Sequence, residues 1–343
     1  MIKLKKTSKI YILCPANIAT GGPESIHLLC EALLKKGHDA NIVYLNNAYP
    51  GGGGHPGHGY VDRSDNWMSY VSTTGKHAEY NQYNTIAVDT IIDNSNNLLI
   101  APEIYLNALE KFENIQTAVW WLASRIQEDG TYDPLQWFSG EDRSVHHLHN
   151  SNFAEHMLRS CGQFDDSRIY PLETYVNTKF NLLPSLWQEC KDDIVCYNPK
   201  KGQQYTEQVI QAMTDQMRPQ TQFIPIVNMN RSEVLDTLRR AKVYIDFGHH
   251  PGRERMPREA VQCGCCVLTG FRGSAQFFKD VPVLDKYKFE VGEQFNPKDV
   301  CKTIHHCIDN YSEVTADFDY YRRVMKNNKS QFSINVDNIF GNV

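Results

Sequence analysis

The chain has 343 residues, a formal net charge of −5, 41% hydrophobic residues and 22% charged residues. This composition is typical of a globular protein and excludes disordered and fibrous classes, while the length predicts two domains. A mildly acidic chain lacks the broad basic surface of general nucleic-acid binders, and no run of roughly 18 apolar residues predicts a membrane-spanning helix.

The chain starts with a basic stretch, MIKLKKTSK, that continues directly into an apolar run. It lacks the apolar region and cleavage site of a signal peptide, so we interpret the ten cysteines as reduced thiols of a cytoplasmic protein. The basic start is compatible with peripheral contact to an anionic membrane, but we favour a solvated strand edge. The cysteine clusters CGCC (263–266) and CKTIHHC (301–307) lack the ligand spacing of zinc sites, and we predict no metal site.

The first half of the chain alternates predicted strands and helices. KIYILCPAN predicts a strand, the apolar spacing that starts at Ile26 predicts a helix ending at Gly37, and NIVYL predicts a second strand. This β-α-β unit implies a parallel sheet. A glycine-rich loop at 47–60 follows, and we expect it to border an acceptor. Further strands are predicted in NLLIAPEIY, QTAVWWLAS, SVHHLHNS and RIYPLETYV, with a helix from about Asn152.

A second alternating series follows a segment without clear period, NTKFNLLPSLWQECKDD, which we interpret as a linker. Strands are predicted in DIVCY, TQFIPIVNM, KVYIDF and CCVLTG, and two helices close the chain. We therefore predict a first α/β domain over 1–183, a second over 184–312, and a helix and tail over 313–343 that cross back toward the first domain.

Two loops that follow predicted strands carry groups suited to an anion. Gly21 and Gly22 precede a helix N-terminus, where backbone N–H groups bind anions and only glycine allows close approach. A plain turn would explain one of these glycines equally well. Lys200 and Lys201 are two cations placed to hold a diphosphate, with a solvated turn as the alternative.

Among the loops that follow predicted strands, GHHPGRERMPREA contains the most charged residues, and it continues into the start of a predicted helix. Arg253 and Arg255 lie at a predicted helix N-terminus, and the Glu259 carboxylate suits a ribose diol, although an internal Arg–Glu network that fastens the loop is the alternative. In the following loop, Gly273 and Ser274 supply N–H and hydroxyl donors for a phosphate, with a capped turn as the alternative. Together these loops predict a nucleotide diphosphate pocket at the carboxyl ends of parallel strands.

The stretch SEVLDTLRRAKVYIDFGHHPGRERMPREAVQCGCCVLTGFRGSAQF resembles the nucleotide-sugar site of GT-B glycosyltransferases, especially the retaining family 4 type. REAVQCGCCVLT fits the family's glutamate helix, YNPKKG its Lys-Gly loop, GGPES its N-terminal glycine loop, and HNSNFAEHML its last N-domain strand and helix. The resemblance covers most of the chain in order. It implies an α/β fold of two Rossmann-like domains facing a cleft, with C-terminal helices that pack back toward the N-terminal domain.

The resemblance also implies residue roles. Glu259 takes the position of the glutamate that contacts the donor ribose, and Lys201 that of the phosphate partner. The family has another glutamate eight residues before Glu259, where this chain has Pro251, so the retaining outcome stays open. His249, His250 and Glu254 are the polar groups that we consider as substitutes near the anomeric carbon.

An acceptor hydroxyl also needs a base from the N-terminal domain, and we select Glu103, which follows a predicted strand. Arg125 ends another predicted strand at similar depth. Trp120 and Trp121 are interpreted as core residues or acceptor-stacking residues.

The predicted function is metal-independent transfer of a sugar from a UDP- or GDP-linked donor to a carbohydrate or lipid-linked glycan, in polysaccharide or glycan synthesis, without a required cofactor. Two alternatives stay open: a nucleotide-sugar epimerase of the same fold, and a non-catalytic nucleotide- or glycan-binding protein with a degenerate site. A nicotinamide-dependent oxidoreductase is disfavoured because the G-x-G-x-x-G pattern is missing.

Overall fold

The computed structural model describes residues 1–45, 71–124, 144–176, 190–215 and 221–341. The chain divides into two compact units, one made of Met1–Thr174 with Ser330–Val343 and the other of Tyr175–Lys329. The predicted loop at 47–60, Arg125 and most of the predicted linker lie outside the described residues. The boundaries predicted near 183 and 312 stay a prediction.

The N-terminal unit is built on a mostly parallel sheet in the order β3-β2-β1-β5-β6-β7-β8, with β4 also paired to β2. Only β3 runs antiparallel to its neighbour within the described part of this sheet. The central strands are buried on both faces, which explains their continuous apolar sequences. The strands are β1 (Lys9–Pro15), β2 (Asp39–Leu45), β3 (Val71–Ser72), β4 (Ile86–Ala87), β5 (Leu98–Pro102), β6 (Gln116–Trp121), β7 (His146–His149) and β8 (Ile169–Pro171).

Helix α2 (Asn152–Ser160) starts where the sequence predicts it, and helix α1 (Gly21–Lys35) begins with the two glycines that were predicted to precede it. The α1 helix ends before Gly37, whose φ is +88°. The α2 helix is capped by Ser151, whose hydroxyl accepts a hydrogen bond from Ala154 N at 3.1 Å. The chain then returns to the sheet edge in β8.

Two predicted strands are shorter than their apolar sequences. NLLIAPEIY forms a strand only as far as Pro102, because a 3-10 helix (Glu103–Lys111) begins directly after that proline, whose φ of −63° suits the residue before a helical turn. RIYPLETYV is a strand only over Ile169–Pro171, the last stretch that pairs with β7.

The C-terminal unit has a five-stranded sheet in the order β10-β9-β11-β12-β13, and all its described pairings are parallel. The strands are β9 (Asp192–Tyr197), β10 (Gln222–Pro225), β11 (Ala241–Asp246), β12 (Cys266–Gly270) and β13 (Lys288–Phe289). The helices are α3 (Gln203–Asp215), α4 (Arg231–Arg240), α5 (Arg255–Gln262), α6 (Pro297–Asp309), α7 (Tyr311–Val314) and α8 (Asp319–Phe340). The cysteines of CGCC lie in the buried core of this unit.

The end of α8 belongs to the N-terminal unit. Ile2 N donates to Ile339 O at 2.9 Å, and Lys36 Nζ lies 2.5 Å from Asp337 Oδ1. His38 Nε2 lies 3.0 Å from Gly341 O. The predicted packing of the C-terminal helix onto the N-terminal domain is therefore confirmed. Within the described residues, no helix combines the length and apolarity needed to cross a membrane.

Candidate functional site

Three loops converge at the carboxyl edge of the C-terminal sheet because β9, β11 and β12 are neighbouring parallel strands. Gly202 has φ +64°, and a Cβ added there would lie 2.6 Å from the carbonyl carbon of Phe247. Gly273 has φ +57°, and its added Cβ would lie 2.3 Å from His250 O. The three loops therefore pack backbone against backbone at two positions that only glycine fills without strain.

Lys201 connects the first two loops through its charge. Its Nζ lies 2.7 Å from Glu254 Oε1 and donates to His249 O at 3.4 Å. The side chains of Lys201 and Glu254 retain 24% and 20% of their exposure, so this ion pair is partly open to solvent. Lys200 is exposed, and its backbone N–H donates to Asn198 Oδ1. Of the two predicted lysines, Lys201 therefore forms an ion pair and Lys200 is exposed to solvent.

Glu259 lies in the first turns of α5 and is held by two arginines. Arg255 Nε and Arg231 Nη2 each lie 2.7 Å from Glu259 Oε1. The Glu259 side chain is fully buried, and its other oxygen, Oε2, has no hydrogen-bond partner among the described residues. A buried carboxylate oxygen without a hydrogen-bond partner is costly, and Oε2 retains the capacity to accept a hydrogen bond.

Arg231 is a member of this cluster that the sequence analysis missed. Asn230 caps α4 through a capping box with Glu233, which makes Arg231 the first helical residue after the β10 edge. The signal that could have found it is this N-cap sequence, NRSE, directly after a predicted strand. The sequence analysis considered an internal Arg–Glu network as the alternative to ligand binding, and the Arg255–Glu259 contact is such a network. Arg231 is a second arginine in it.

A buried acid–histidine pair lies beneath the loop after β11. Asp246 Oδ1 lies 3.2 Å from His250 Nε2 and accepts from Gly248 N at 3.1 Å, while Asp246 Oδ2 accepts from Tyr244 Oη at 3.2 Å. Burial raises the pKa of Asp246, but the attraction and hydrogen bond of His250, the charge of Lys201 and the hydrogen bond from Gly248 N together outweigh burial, so the pKa is lowered overall. The sequence analysis selected His250 but missed Asp246, which ends a strand four residues earlier.

His249 lies on the other side of this loop and is half-buried. Burial lowers its pKa, and the nearby charges of His250 and Lys201 lower it further. A neutral imidazole is therefore favoured at this position, next to the Lys201–Glu254 pair.

The remaining loop residues are fastened internally. Arg258 Nε donates to Glu254 O at 3.0 Å and its Nη2 donates to Arg253 O at 2.8 Å. Burial, with the nearby charge of Arg253, lowers the pKa of Arg258 to about 10. Ser274 Oγ donates to Gly252 O at 2.6 Å, and Ser274 N donates to His250 O at 2.7 Å. Arg253 and Ser274 are both buried in this arrangement, and their predicted phosphate contacts stay a prediction.

The predicted site residues of the N-terminal unit lie at the carboxyl edge of its own sheet. Gly21 and Gly22 are the first residues of α1. Among the described residues, an added Cβ would meet nothing within 4 Å at Gly21 and only Leu122 Cδ1, at 3.8 Å, at Gly22. Their φ values are not in the left-handed region, so the turn alternative does not require glycine here. The space beside them suits a close approach by another molecule.

Glu103 is buried, with 4% exposure, at the end of β5. Its Oε2 accepts a hydrogen bond from Leu122 N at 3.0 Å, which joins the ends of β5 and β6. Trp120 and Trp121 are both fully buried, as the core interpretation predicts. The base role of Glu103 stays a prediction, because the described contact is a structural one.

No protein-family model matches this sequence, and no curated protein matches it. Solved structures do. A glycosyltransferase from Rickettsia africae ESF-5 superimposes with a TM-score of 0.62 at 12% identity, covering 98% of this chain and 99% of that one. WaaG, a glycosyltransferase involved in lipopolysaccharide biosynthesis, gives a TM-score of 0.61 at 10% identity over 97% and 100% of the two chains.

HepE of Anabaena, solved in complex with UDP and glucose, gives a TM-score of 0.58 at 12% identity over 96% and 97% of the two chains. These neighbours have the architecture of two Rossmann-like domains. The chain has the GT-B fold. At these identities the similarity shows the fold alone, and it confirms the α/β class with two Rossmann-like domains that the resemblance implies.

Proposed function

We propose that this GT-B chain is a glycosyltransferase that uses a nucleotide-sugar donor. The observation that carries the proposal is the paired charge at the carboxyl edge of the C-terminal sheet, where Lys201, Glu254, Arg255, Arg231 and Glu259 form two adjoining ion-pair clusters. The fold supports it, since HepE, which shares this fold, is solved with UDP-glucose. UDP or GDP is the donor nucleotide that we expect, and retaining family 4 is the subtype that the sequence resembles.

Lys201 is the proposed partner of the donor diphosphate. In the structure its ammonium is neutralised by Glu254 at 2.7 Å, so Glu254 occupies the place that a phosphate oxygen would take. Binding of the diphosphate would exchange one anionic partner for another and release Glu254 into the site. This exchange keeps a partly buried lysine paired both with and without ligand.

The proposed reaction forms a bond between an acceptor hydroxyl oxygen and the anomeric carbon while the bond from that carbon to the diphosphate oxygen breaks. The electron pair of the broken bond stays on the diphosphate, and Lys201 with Arg253 or Arg255 stabilises that charge. The hydroxyl proton passes to a base, for which Glu103 is our proposal. These cations supply the charge stabilisation, so we propose a metal-independent reaction without a required cofactor.

Glu259 is the proposed acceptor of the ribose hydroxyl protons. Its unpartnered Oε2 has the hydrogen-bonding capacity, but the side chain is fully buried. Arg231 keeps 37% of its side-chain exposure and Arg255 keeps 22%, so one of these two covering side chains must move before a ribose reaches Glu259. We therefore propose that donor binding opens the arginine pair.

Further proposals concern the acceptor, the membrane contact and the groups near the anomeric carbon. We propose a carbohydrate or lipid-linked glycan acceptor, in polysaccharide or glycan synthesis on the cytoplasmic side, with peripheral membrane contact through the basic N-terminus. Exposed Lys5 and Lys6 support that contact. Near the anomeric carbon, His249, His250 and Glu254 are proposed to replace the glutamate that Pro251 displaces.

The test is a thermal-shift panel with UDP, GDP, ADP, CMP and NAD, each with and without magnesium. A ligand at 100 times its Kd stabilises the fold by about 2.7 kcal/mol, which is readily measured. We expect one nucleoside diphosphate to raise Tm independently of magnesium. Lys201→Ala should weaken that binding more than about tenfold, because a charge-assisted contact of roughly 1.5–3 kcal/mol is lost. Lys302→Ala, an exposed lysine on α6, is the matched control and should bind normally.

The outcomes separate the alternatives. A shift with NAD alone, or equal loss in both lysine variants, would refute the proposed donor site. If the bound nucleotide sugar is turned over only when a glycan acceptor is added, the transferase is supported. Conversion of the donor to another sugar without acceptor would instead show the epimerase, and binding without turnover would show the degenerate binding protein.

A further inference from the structure

A cavity of about 540 Å³ opens at the amino edge of the N-terminal sheet, among the starts of β6, β7 and β8. It lies within the N-terminal unit at the opposite ends of the strands from Gly21 and Glu103, and none of its lining residues belongs to the proposed donor or acceptor groups. A volume of this size accommodates a small ligand. The residues that line it are Met1, Lys3, Glu113, Asn114, Ile115, Gln116, Thr117, Ser144, His146, Ser167, Arg168 and Tyr170.

Two cationic side chains, Lys3 and Arg168, line this cavity. In the described part of the chain, neither one forms an ion pair with a carboxylate. One Arg168 N–H group donates to the carbonyl of Ser144, which anchors the guanidinium at the cavity wall and leaves further donors on the same fork. Glu113 is the acidic residue of the lining, and the Asp165 carboxylate outside the lining also interacts with the charge of Arg168.

His146 adds an imidazole to the lining, and its pKa responds to the charges around the cavity. Its Nδ1 is buried and has no hydrogen-bond partner among the described residues. Burial, together with the charges of Arg168 and the terminal amino group, lowers the pKa of His146 to about 4. The histidine thus experiences a positive potential, which an incoming anion would offset.

The wall of the cavity is held in place by other parts of the chain. Gln116 Nε2 donates to Lys3 O at 2.9 Å, which fixes the N-terminal segment to the edge of the sheet. Asp93 accepts hydrogen bonds from the backbone N–H groups of Glu113, Asn114 and Ile115 at 2.7–3.1 Å. The opposite wall is closed by Tyr170, whose hydroxyl lies 3.4 Å from the Met1 amino group. The cations therefore face a cavity whose lining is already ordered.

We propose that this cavity is a second ligand site that binds a phosphate monoester, through Lys3 and the Arg168 guanidinium with Tyr170 and His146 beside them. Phosphate is favoured because a guanidinium matches its oxygens in a bidentate manner and a lysine adds a point charge. The site goes beyond the proposed glycosyl transfer, because no residue of the donor or acceptor groups belongs to it. The phosphate is carried either by a soluble metabolite or by a lipid headgroup, and both share this chemistry.

The test measures binding of inorganic phosphate and of glycerol phosphate to the full chain by calorimetry, and follows the His146 ring signals by NMR. We expect saturable binding and a shift of the His146 signals toward a higher pKa. The double variant Lys3→Gln with Arg168→Gln should bind at least about tenfold more weakly. Lys298→Gln with Lys326→Gln removes the same charge from exposed residues outside the cavity, and should bind within about twofold of the parent protein.

Equal weakening in both double variants would overturn the proposal, since it would show a diffuse surface effect, and so would an absence of binding in the parent protein. Arg168→Lys keeps the charge and tests the site if the glutamine double variant does not fold. We expect its affinity for phosphate to lie between those of the parent protein and the double variant. UDP binding should be unchanged in all these variants, so failure here is distinct from failure of the proposed donor site. Flotation with phosphatidic acid vesicles, lost in the cavity variant alone, would assign the phosphate to a lipid headgroup, whereas binding only of glycerol phosphate would assign it to a soluble metabolite.

Discussion

The carboxyl edges of the two sheets are built in different ways. In the C-terminal unit, the loops are locked together by tight glycine contacts and by ion pairs such as Lys201–Glu254 and Arg255–Glu259. In the N-terminal unit, an added Cβ at Gly21 or Gly22 would meet little among the described residues, and Glu103 Oε2 accepts a hydrogen bond from the backbone amide of Leu122. The carboxyl edge of the C-terminal sheet is therefore already charged and ordered, whereas the described part of the N-terminal edge leaves room beside its glycines.

The difference between the two edges fits the two binding tasks of the proposed reaction, which are recognition of the nucleotide diphosphate and recognition of the acceptor. A nucleotide diphosphate is a demanding ligand with a fixed charge, and preorganised cations recognise it with little rearrangement. An acceptor varies more in shape, and we propose that the space beside Gly21 and Gly22 accommodates it. If this comparison is right, the same kind of substitution should have opposite consequences at the two edges.

Substitution of the edge glycines should give the largest contrast. Gly273→Ala places a Cβ 2.3 Å from His250 O at a positive φ, so we expect a loss of more than about 3 kcal/mol in the free energy of unfolding, measured with urea. Gly21→Ala enters open space in a helix and should change stability by no more than about 1 kcal/mol. Equal losses at the two glycines would remove the basis for the comparison.

The pH dependence of stability should come from buried neutral histidines of the N-terminal unit. His27 Nδ1 lies 2.7 Å from Pro23 O, which can only accept, so Nε2 of the neutral ring accepts from Tyr44 Oη at 2.8 Å. Burial lowers the pKa of His27 to about 4, although the Pro23 contact opposes that shift. The unfolded chain therefore takes up a proton near pH 6.5, where the folded chain does not.

Stability should consequently fall as pH decreases from about 6.5 to about 4, by about 3 kcal/mol from His27 alone. His147, whose pKa is lowered to about 3 by burial, adds to this fall. Urea unfolding at several pH values would measure it. His27→Gln should reduce the slope, and His156→Gln, on an exposed residue, should leave it unchanged. An unchanged slope in His27→Gln would contradict the assignment.

Removal of the carboxylate that neutralises Lys201 should give the smallest effect. Glu254→Gln keeps the shape and removes the ion pair, so UDP should bind about three- to tenfold more tightly by calorimetry, a change of about 1 kcal/mol. Glu313→Gln, on an exposed residue of α7, is the matched control. If transfer slows while affinity rises, Glu254 also acts near the anomeric carbon. Weaker UDP binding would show that Glu254 does not compete with the phosphate.

The alternation of apolar runs with helical spacing was sufficient to predict the α/β fold, because parallel strands buried on both faces leave a clear pattern. The start of α2 was also predictable, since serine is a favoured N-cap residue. The early end of β8 was not, because it depends on which neighbouring strand is available for pairing. Pairing is a property of the sheet and not of the local sequence.

The candidate site was predictable in its location but not in its contacts. The rule that ligands bind at the carboxyl ends of parallel strands brought Lys201, Arg255 and Glu259 to one edge. Arg231 contacts Glu259 from 28 positions away, and Asp246 is hidden at the end of an apolar strand. Such partners are selected by packing in three dimensions, so a scan of neighbouring residues does not find them.

The last turns of α8 complete the unit that the first residues begin, through Ile2–Ile339 and Lys36–Asp337. During synthesis the strands of the N-terminal unit therefore leave the ribosome long before the last turns of α8, which belong to the same unit. The entire C-terminal unit is translated in between. A chain truncated before these turns lacks part of its N-terminal unit, so a deletion near residue 330 should destabilise the segment around Ile2 and Lys36.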